Sequence, residues 1–220
     1  MRKGQDRYHH GDLHRAAIEA SERELERHGA QGFKLERVAK SLGVTTPALY
    51  RHFENKDALL RAVIWDVFLR FVAAVDGAVT AAVDPRTKAA ALGKAYVRFA
   101  LKNPGWFRLQ FSRTGTEQLA VRHEEATMKY PEEIIGALRT LLGDEAVVER
   151  WFLLLWGAVH GIAGLLVENV WAHVSTEAEQ LVLADTLIDT LVAAISQPTS
   201  PDVEARPSAA FARVHRRQRR

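Results

Sequence analysis

Residues 35–53 constrain this chain more than any other stretch, because they set two short helices about a single glycine. Val38, Ala39 and Leu42 fall on one side of a helix predicted over Leu35–Leu42, with Ala39 small where a second helix would cross. Gly43 permits the sharp turn that follows, and Val44, Leu49 and Phe53 return a helix over about Thr46–His52 to the same core. Pro47 stands in the first turn of that helix, where its missing N–H costs nothing. Thr45, Thr46, Pro47, Ala48 and Arg51 are left on the outer, N-terminal side, at positions that enter a major groove when such a pair is a helix-turn-helix. The spacing alone serves an ordinary helical hairpin equally well.

The rest of the chain also reads as helix, since no run alternates with period 2 between hairpin-type turns. A first helix is predicted from Gly11–Asp12, with Asp12 as N-cap, to His28–Gly29, where glycine suits the residue past a helix end. Asn55 caps a long helix from Lys56 towards Val83, which Asp84–Pro85 ends. Further helices are predicted over 86–102, 105–113, 117–142 (with Pro131 inside or bending it), 145–172 and 176–196. From Gln197 the chain combines Pro, Ser and Arg with few large apolar groups, which predicts a disordered tail.

Charge divides the 220 residues further. Residues 1–61 carry net +3, 62–196 net −4 and 197–220 net +4, so a basic head and tail flank an acidic body. A head of that sign suits a polyanion. With no cysteine in the chain, disulfides, thiolate zinc sites and a cysteine nucleophile are excluded, and a reducing compartment is suited. The start has no apolar core of the kind a signal peptide needs. Trp151–Val167 is a nearly unbroken apolar run of 17 residues, about 26 Å as a helix against a hydrocarbon core of roughly 30 Å. His160 lies within it and no one-sided Lys/Arg bias flanks it, so it reads as a helix buried on nearly all sides and not as a membrane span.

The run LGVTTPALYRHFENKDALLRAV, residues 42–63, closely resembles the DNA-binding domain of the TetR family of one-component regulators. Its signature is Leu49-Tyr50-x-His52-Phe53-x-Asn55-Lys56-x-x-Leu59, and the resemblance extends over residues 8–64. It implies that Tyr50 and His52 offer donors to phosphate oxygens and that Lys56 brings a cation to a helix start, contacts that fix position and not sequence. Base readout then falls on Thr45 and Thr46, with Arg51 and Lys34 as further candidates. The chain departs from the family's pattern where Lys34-Leu35 stand in place of a capping threonine, Pro47 in place of a glycine and Ala48 in place of a threonine. Ala48 offers at most a methyl contact.

The opening Tyr8-His9-His10-Gly11-Asp12-Leu13 resembles a TetR subgroup whose C-terminal part is called the WHG domain, with Arg2, Lys3 and Arg7 as an arm near DNA. His10 and His14 lack the further ligand a zinc site would need. The same resemblance takes in Asn103–Leu109 and Trp156-Gly-Ala-Val-His160-Gly161. Gly157, Gly161 and Gly164 permit close helix contact, and Leu187, Ile188, Leu191 and Ile195 give the final helix an apolar face. Two such helices from each of two subunits would make a four-helix interface about a two-fold axis. Trp106, Phe107, Phe111, Phe152, Trp156 and His160 are the groups from which an effector pocket could be built, with His160 in need of a buried partner or a ligand.

No Gly-x-Ser-x-Gly, phosphate-cradling loop or HExxH is present, so neither a catalytic residue, a cofactor nor a metal is assigned. The expectation is an all-α chain: a three-helix helix-turn-helix domain over 1–64 whose first residues form a flexible arm, a larger helical effector-binding and dimerisation domain over 65–196, and a basic tail over 197–220. Its expected role is that of a cytoplasmic homodimeric repressor that a small apolar or aromatic molecule releases from a palindromic operator in double-stranded DNA. The rival is a helical carrier or enzyme with a vestigial head and a haem or metal on His160.

Overall fold

The computed structural model describes residues 10–110, 129–142, 145–171 and 176–195. They form α1 (His10–Gly32), α2 (Leu35–Ser41), α3 (Thr46–Tyr50), α4 (Lys56–Thr80), α5 (Pro85–Lys102), α6 (Pro104–Gln110), α7 (Lys129–Leu142), α8 (Glu145–Val167) and α9 (Glu177–Ala194). No strand occurs among the described residues, and the fold is all-α. Contacts group the chain into two compact units, Met1–Phe71 with Lys102–His123, and Val72–Leu101 with Glu124–Arg220. The tail from Gln197 and Phe111 both lie outside the described residues.

In the first unit the helix ends follow local chemistry. Gly29 takes φ 66° and interrupts the helical backbone of α1, a conformation costly for any residue with a Cβ. Gly43 does the same at φ 67° after α2, and there Gly43 N–H donates to Lys40 C=O at 3.2 Å and Val44 N–H to Ala39 C=O at 3.0 Å. These two bonds are those of a Schellman end, so the turn between α2 and α3 is fixed by backbone pairing. Asn55 caps α4 as expected, its Oδ1 accepting from Ala58 N–H at 2.8 Å.

Val38, Ala39, Leu49 and Phe53 are buried together with Ala17, Ala20, Leu25, Leu59 and Val63, the core that α1, α2, α3 and α4 share. α6 packs on α1 and belongs to this unit, although it follows α5 in the sequence. The Glu26 carboxylate accepts from Gly105 N–H with both oxygens at 3.0 Å, and a Cβ on Gly105 would stand 2.9 Å from Glu26 Oε1. Several boundaries differ from expectation, among them the end of α8 at Val167 and not at 172. α1 begins at His10, so Asp12 lies within its first turn, and α4 stops at Thr80. Asp84–Pro85 does not end α4 but starts α5, because Asp84 Oδ1 accepts from Arg86 N–H at 2.9 Å and Thr87 N–H at 3.1 Å.

The second unit packs α5, α8 and α9 around a close approach at Gly93, where an added Cβ would meet Ile188 Cγ2 at 3.0 Å and Val159 Cγ2 at 3.1 Å. Thr176 and Glu179 form a capping box at the start of α9. Two expectations are overturned here. Ile188 and Ile195 are buried within the chain, with Gln180, Ala184 and Val192 completing the inward stripe of α9. Arg98–Asp185 at 2.6 Å and Lys94–Asp189 at 2.7 Å, both from α5, flank this buried stripe. The outward apolar side of α9 is therefore Val182, Leu183 and Leu187.

α8 is likewise not buried on all sides. Leu154, Trp156 and Leu165 are exposed in the single chain, and a Cβ added to Gly157, Gly161 or Gly164 would meet nothing. Arg150–Val167 is long and apolar enough to cross a membrane by length and composition, a test that the core helix of a soluble protein passes too. One such helix, with His160 hydrogen-bonded inside the fold, is not enough for a span.

Candidate DNA interface and effector site

α3 is anchored through Leu49 and, just beyond its end, Phe53, so its other side faces out. Thr45, Pro47, Tyr50 and Arg51 are exposed and Thr46 and Ala48 half-buried, with Tyr50 retaining 49% of its accessible surface. Thr45 is the N-cap by position but makes no side-chain cap bond. His52 follows the helix and is half-buried. The Lys56 ammonium sits 3.3 Å from Phe33 C=O and 5.1 Å from the centre of the Phe33 ring, which ties the start of α4 to the loop ahead of α2.

Lys34 occupies the N-cap position of α2 without capping it, as its chemistry implies. The start of α2 is instead tied to α1 by a residue that the sequence did not single out. Glu24, 7% exposed, accepts from Lys34 N–H at 3.4 Å and pairs with Arg37, whose guanidinium also donates to Gly32 C=O. One buried carboxylate thus joins α1, the α1–α2 corner and α2, and fixes the angle at which the helix pair leaves the core.

The aromatic candidates separate. Trp106 and Phe107 belong to the first unit and are buried, with Trp106 Nε1–H donating to Ile64 C=O at 3.2 Å and its ring against Phe71. Phe152, Trp156 and His160 belong to the second unit. There the Trp156 ring stacks on the His160 ring with centroids 5.7 Å apart, and the Tyr96 hydroxyl lies 2.9 Å from His160 Nδ1. Burial pushes the Tyr96 phenol up and the His160 imidazole down, so both are neutral and share one hydrogen bond whose direction follows the imidazole tautomer. Tyr96 is 64 residues away in sequence and carried no local signal.

Burial of His160 makes the stability of the fold depend on pH. The fold holds its proton more weakly than the unfolded chain does, so its contribution to stability is complete above the ordinary 6.5 and is lost as pH falls below it. Between pH 7.5 and 5.5, denaturant titrations should show a fall in stability of at most about 1.4 kcal/mol per pH unit from this group, the limit for one proton. His160→Gln should flatten that part; curves for variant and parent that stay parallel would contradict it.

Comparison with known proteins agrees with this geometry. Residues 17–63 match the model of bacterial regulatory proteins of the tetR family, and residues 89–191 match the tetracyclin repressor-like C-terminal domain. HTH-type transcriptional regulators of Mycobacterium bovis and Mycobacterium tuberculosis are 30% identical over 96 residues, which is 43% of this chain and 41% of theirs. The chain therefore spans well under half of the curated relatives it matches.

A protein of unknown function from Rhodococcus sp. RHA1 has a TM-score of 0.67 at 28% identity, over 88% of this chain and 100% of that one. A TetR family regulator from Marinobacter aquaeolei VT8 has a TM-score of 0.60 at 19% identity, over 81% and 94%. A TetR variant from Acinetobacter baumannii AYE, solved in complex with minocycline, also scores 0.60 at 19% identity, over 87% and 96%. With both halves matched and the outward α3 in place, the chain belongs to the TetR family of transcriptional regulators.

Proposed function

We propose that this regulator is a homodimeric repressor that binds a palindromic operator through α3 and is released by a small apolar or aromatic effector. The observation that carries the reading is the division of α3: Leu49 and Phe53 are buried, while Thr45, Pro47, Tyr50 and Arg51 stand exposed on a rigid element. Thr45 and Thr46 are the base readers in this scheme, supported by Pro47 and Ala48 at the surface and by Arg51 and Lys34 at its edges. Tyr50, His52 and Lys56 position the phosphates. Lys56 spends one donor on Phe33 and an ammonium has three, so a phosphate can be held as well.

Dimerisation is supported by the outward faces of α8 and α9. Thr186 and Thr190 lie among the apolar residues of α9, and each hydroxyl donates back to its own helix, to Val182 C=O at 2.8 Å and Thr186 C=O at 2.7 Å. That leaves their methyl groups outward, so the stripe is apolar throughout. The minocycline complex of the Acinetobacter neighbour supports a small-molecule effector for a body of this fold. Trp156, His160 and Phe152, joined by Tyr96, are the first groups to substitute, and Trp106, Phe107 and Phe111 follow. An effector acts only through unequal affinity for the DNA-bound and released states.

Selection from a random duplex pool provides the operator on which the reading is tested. Tyr50→Phe combined with Lys56→Ala should lower affinity roughly tenfold or more and reduce the slope of log K against log salt by about one for each lost lysine–phosphate contact. An unchanged slope and affinity would remove the DNA-contact assignment.

A further inference from the structure

We propose that His14, on α1, is an additional phosphate-contacting residue that works beside His52. The inference rests on the DNA reading of α3. His14 is exposed, and its ring lies on the ring of Phe53 with centroids 4.6 Å apart and planes at 23°. His52, the adjacent residue in sequence, has its ring centre 6.5 Å from that of His14, at 65°. Two imidazoles, one from α1 and one from the turn after α3, therefore stand side by side, one of them seated on the aromatic side chain that anchors the end of α3.

The stacked arrangement matters chemically. An imidazole stacked through its face makes that contact with neither ring nitrogen, so the packing on Phe53 uses none of the hydrogen-bonding capacity. It also fixes the ring before any ligand arrives, which lowers the entropic cost of the contact. Covering Phe53 needs only an apolar side chain; the polar, exposed ring is what a phosphate oxygen can use. The next residue along α1, Arg15, is turned to its own helix, with Nε 3.0 Å from Glu19 Oε1. The separation of the two imidazoles suits one phosphodiester held from two sides, or two consecutive ones.

The test uses the full-length protein and its selected duplex, in which single phosphates are replaced in turn by uncharged methylphosphonates. His14→Phe keeps a ring on Phe53 and removes the nitrogens, and His14→Leu is a second, unrelated cover should the first disturb folding. Each should lower affinity roughly tenfold, the size of one charge-assisted hydrogen bond, with the unfolding midpoint held. In each, one phosphate whose replacement weakens the parent should become silent. His52→Ala should silence the same phosphate or its neighbour. If both His14 variants keep the affinity and every phosphate penalty while His52→Ala loses one, His14 has no contact and only this inference falls. If His52→Ala and the Tyr50 and Lys56 variants also change nothing, the DNA-contact reading falls first.

Discussion

In the proposed homodimer, Leu187→Glu should leave a monomer and weaken binding to the proposed palindromic operator by about a hundredfold or more. Leu187 is 39% exposed in the single chain, in line with Val182 and Leu183 on the side of α9 turned away from α5. A two-fold interface repeats every substitution, so one change buries two carboxylates in an apolar seam. Each unpaired charge costs several kcal/mol, and about 4 kcal/mol in total already raises the dimer dissociation constant a thousandfold. The single chain loses little, because the inward stripe of Ala184, Ile188 and Val192 is untouched. Helix content and unfolding of dilute protein should therefore stay near the parent's.

Gly161→Leu tests the outward side of α8, since a Cβ added there meets nothing within 4 Å. It should block close helix approach at a second place. Sedimentation velocity and operator titration together decide the matter. A dimer of unchanged mass in both variants would mean that these helices do not form the interface.

How far the sequence showed this site depends on the range of the interaction. The α2–α3 turn was readable because Gly43, Leu49 and Phe53 act within a few residues of one another, and the Asn55 cap reaches only to Ala58. The rotation of α9 was not. Its sequence offers apolar residues on several sides, and the inner one is set by Ile188 packing at Gly93, with Arg98–Asp185 and Lys94–Asp189 pairing alongside across 87 and 95 residues. Glu24 was hidden for the same reason. In a helix with acids at 22, 24 and 26 it looks like any solvated side chain, until the fold brings Arg37 and Lys34 against it. Both cases follow one rule. Hydrophobic period predicts that a helix has an inner face, but which of two similar faces is inner depends on partners distant in the chain.

Arg37→Ala should cost about 3 kcal/mol of stability, and the loss should appear first in the helix-turn-helix. Removing the guanidinium takes the strongest partner from Glu24, whose side chain is 8% exposed, leaving the His28 ring at 3.7 Å and Lys34 N–H at 3.4 Å, and leaves Gly32 C=O without that donor. The figure sits at the lower end for a broken buried pair because Arg37 is itself 37% exposed. Since this carboxylate sets the α1–α2 corner, hydrogen exchange should quicken in α2 and α3, and operator affinity should fall although no DNA-facing side chain has changed. Glu24→Met with Arg37→Met should recover most of the loss, because two apolar side chains of similar volume remove the stranded charge. Recovery should stop about 1 kcal/mol short, since Lys34 N–H no longer has its acceptor. A single Arg37→Ala variant within 1 kcal/mol of the parent, with unchanged exchange in α2, would show that Glu24 tolerates the loss of the guanidinium and that backbone pairing at Gly43 alone holds the motif in place.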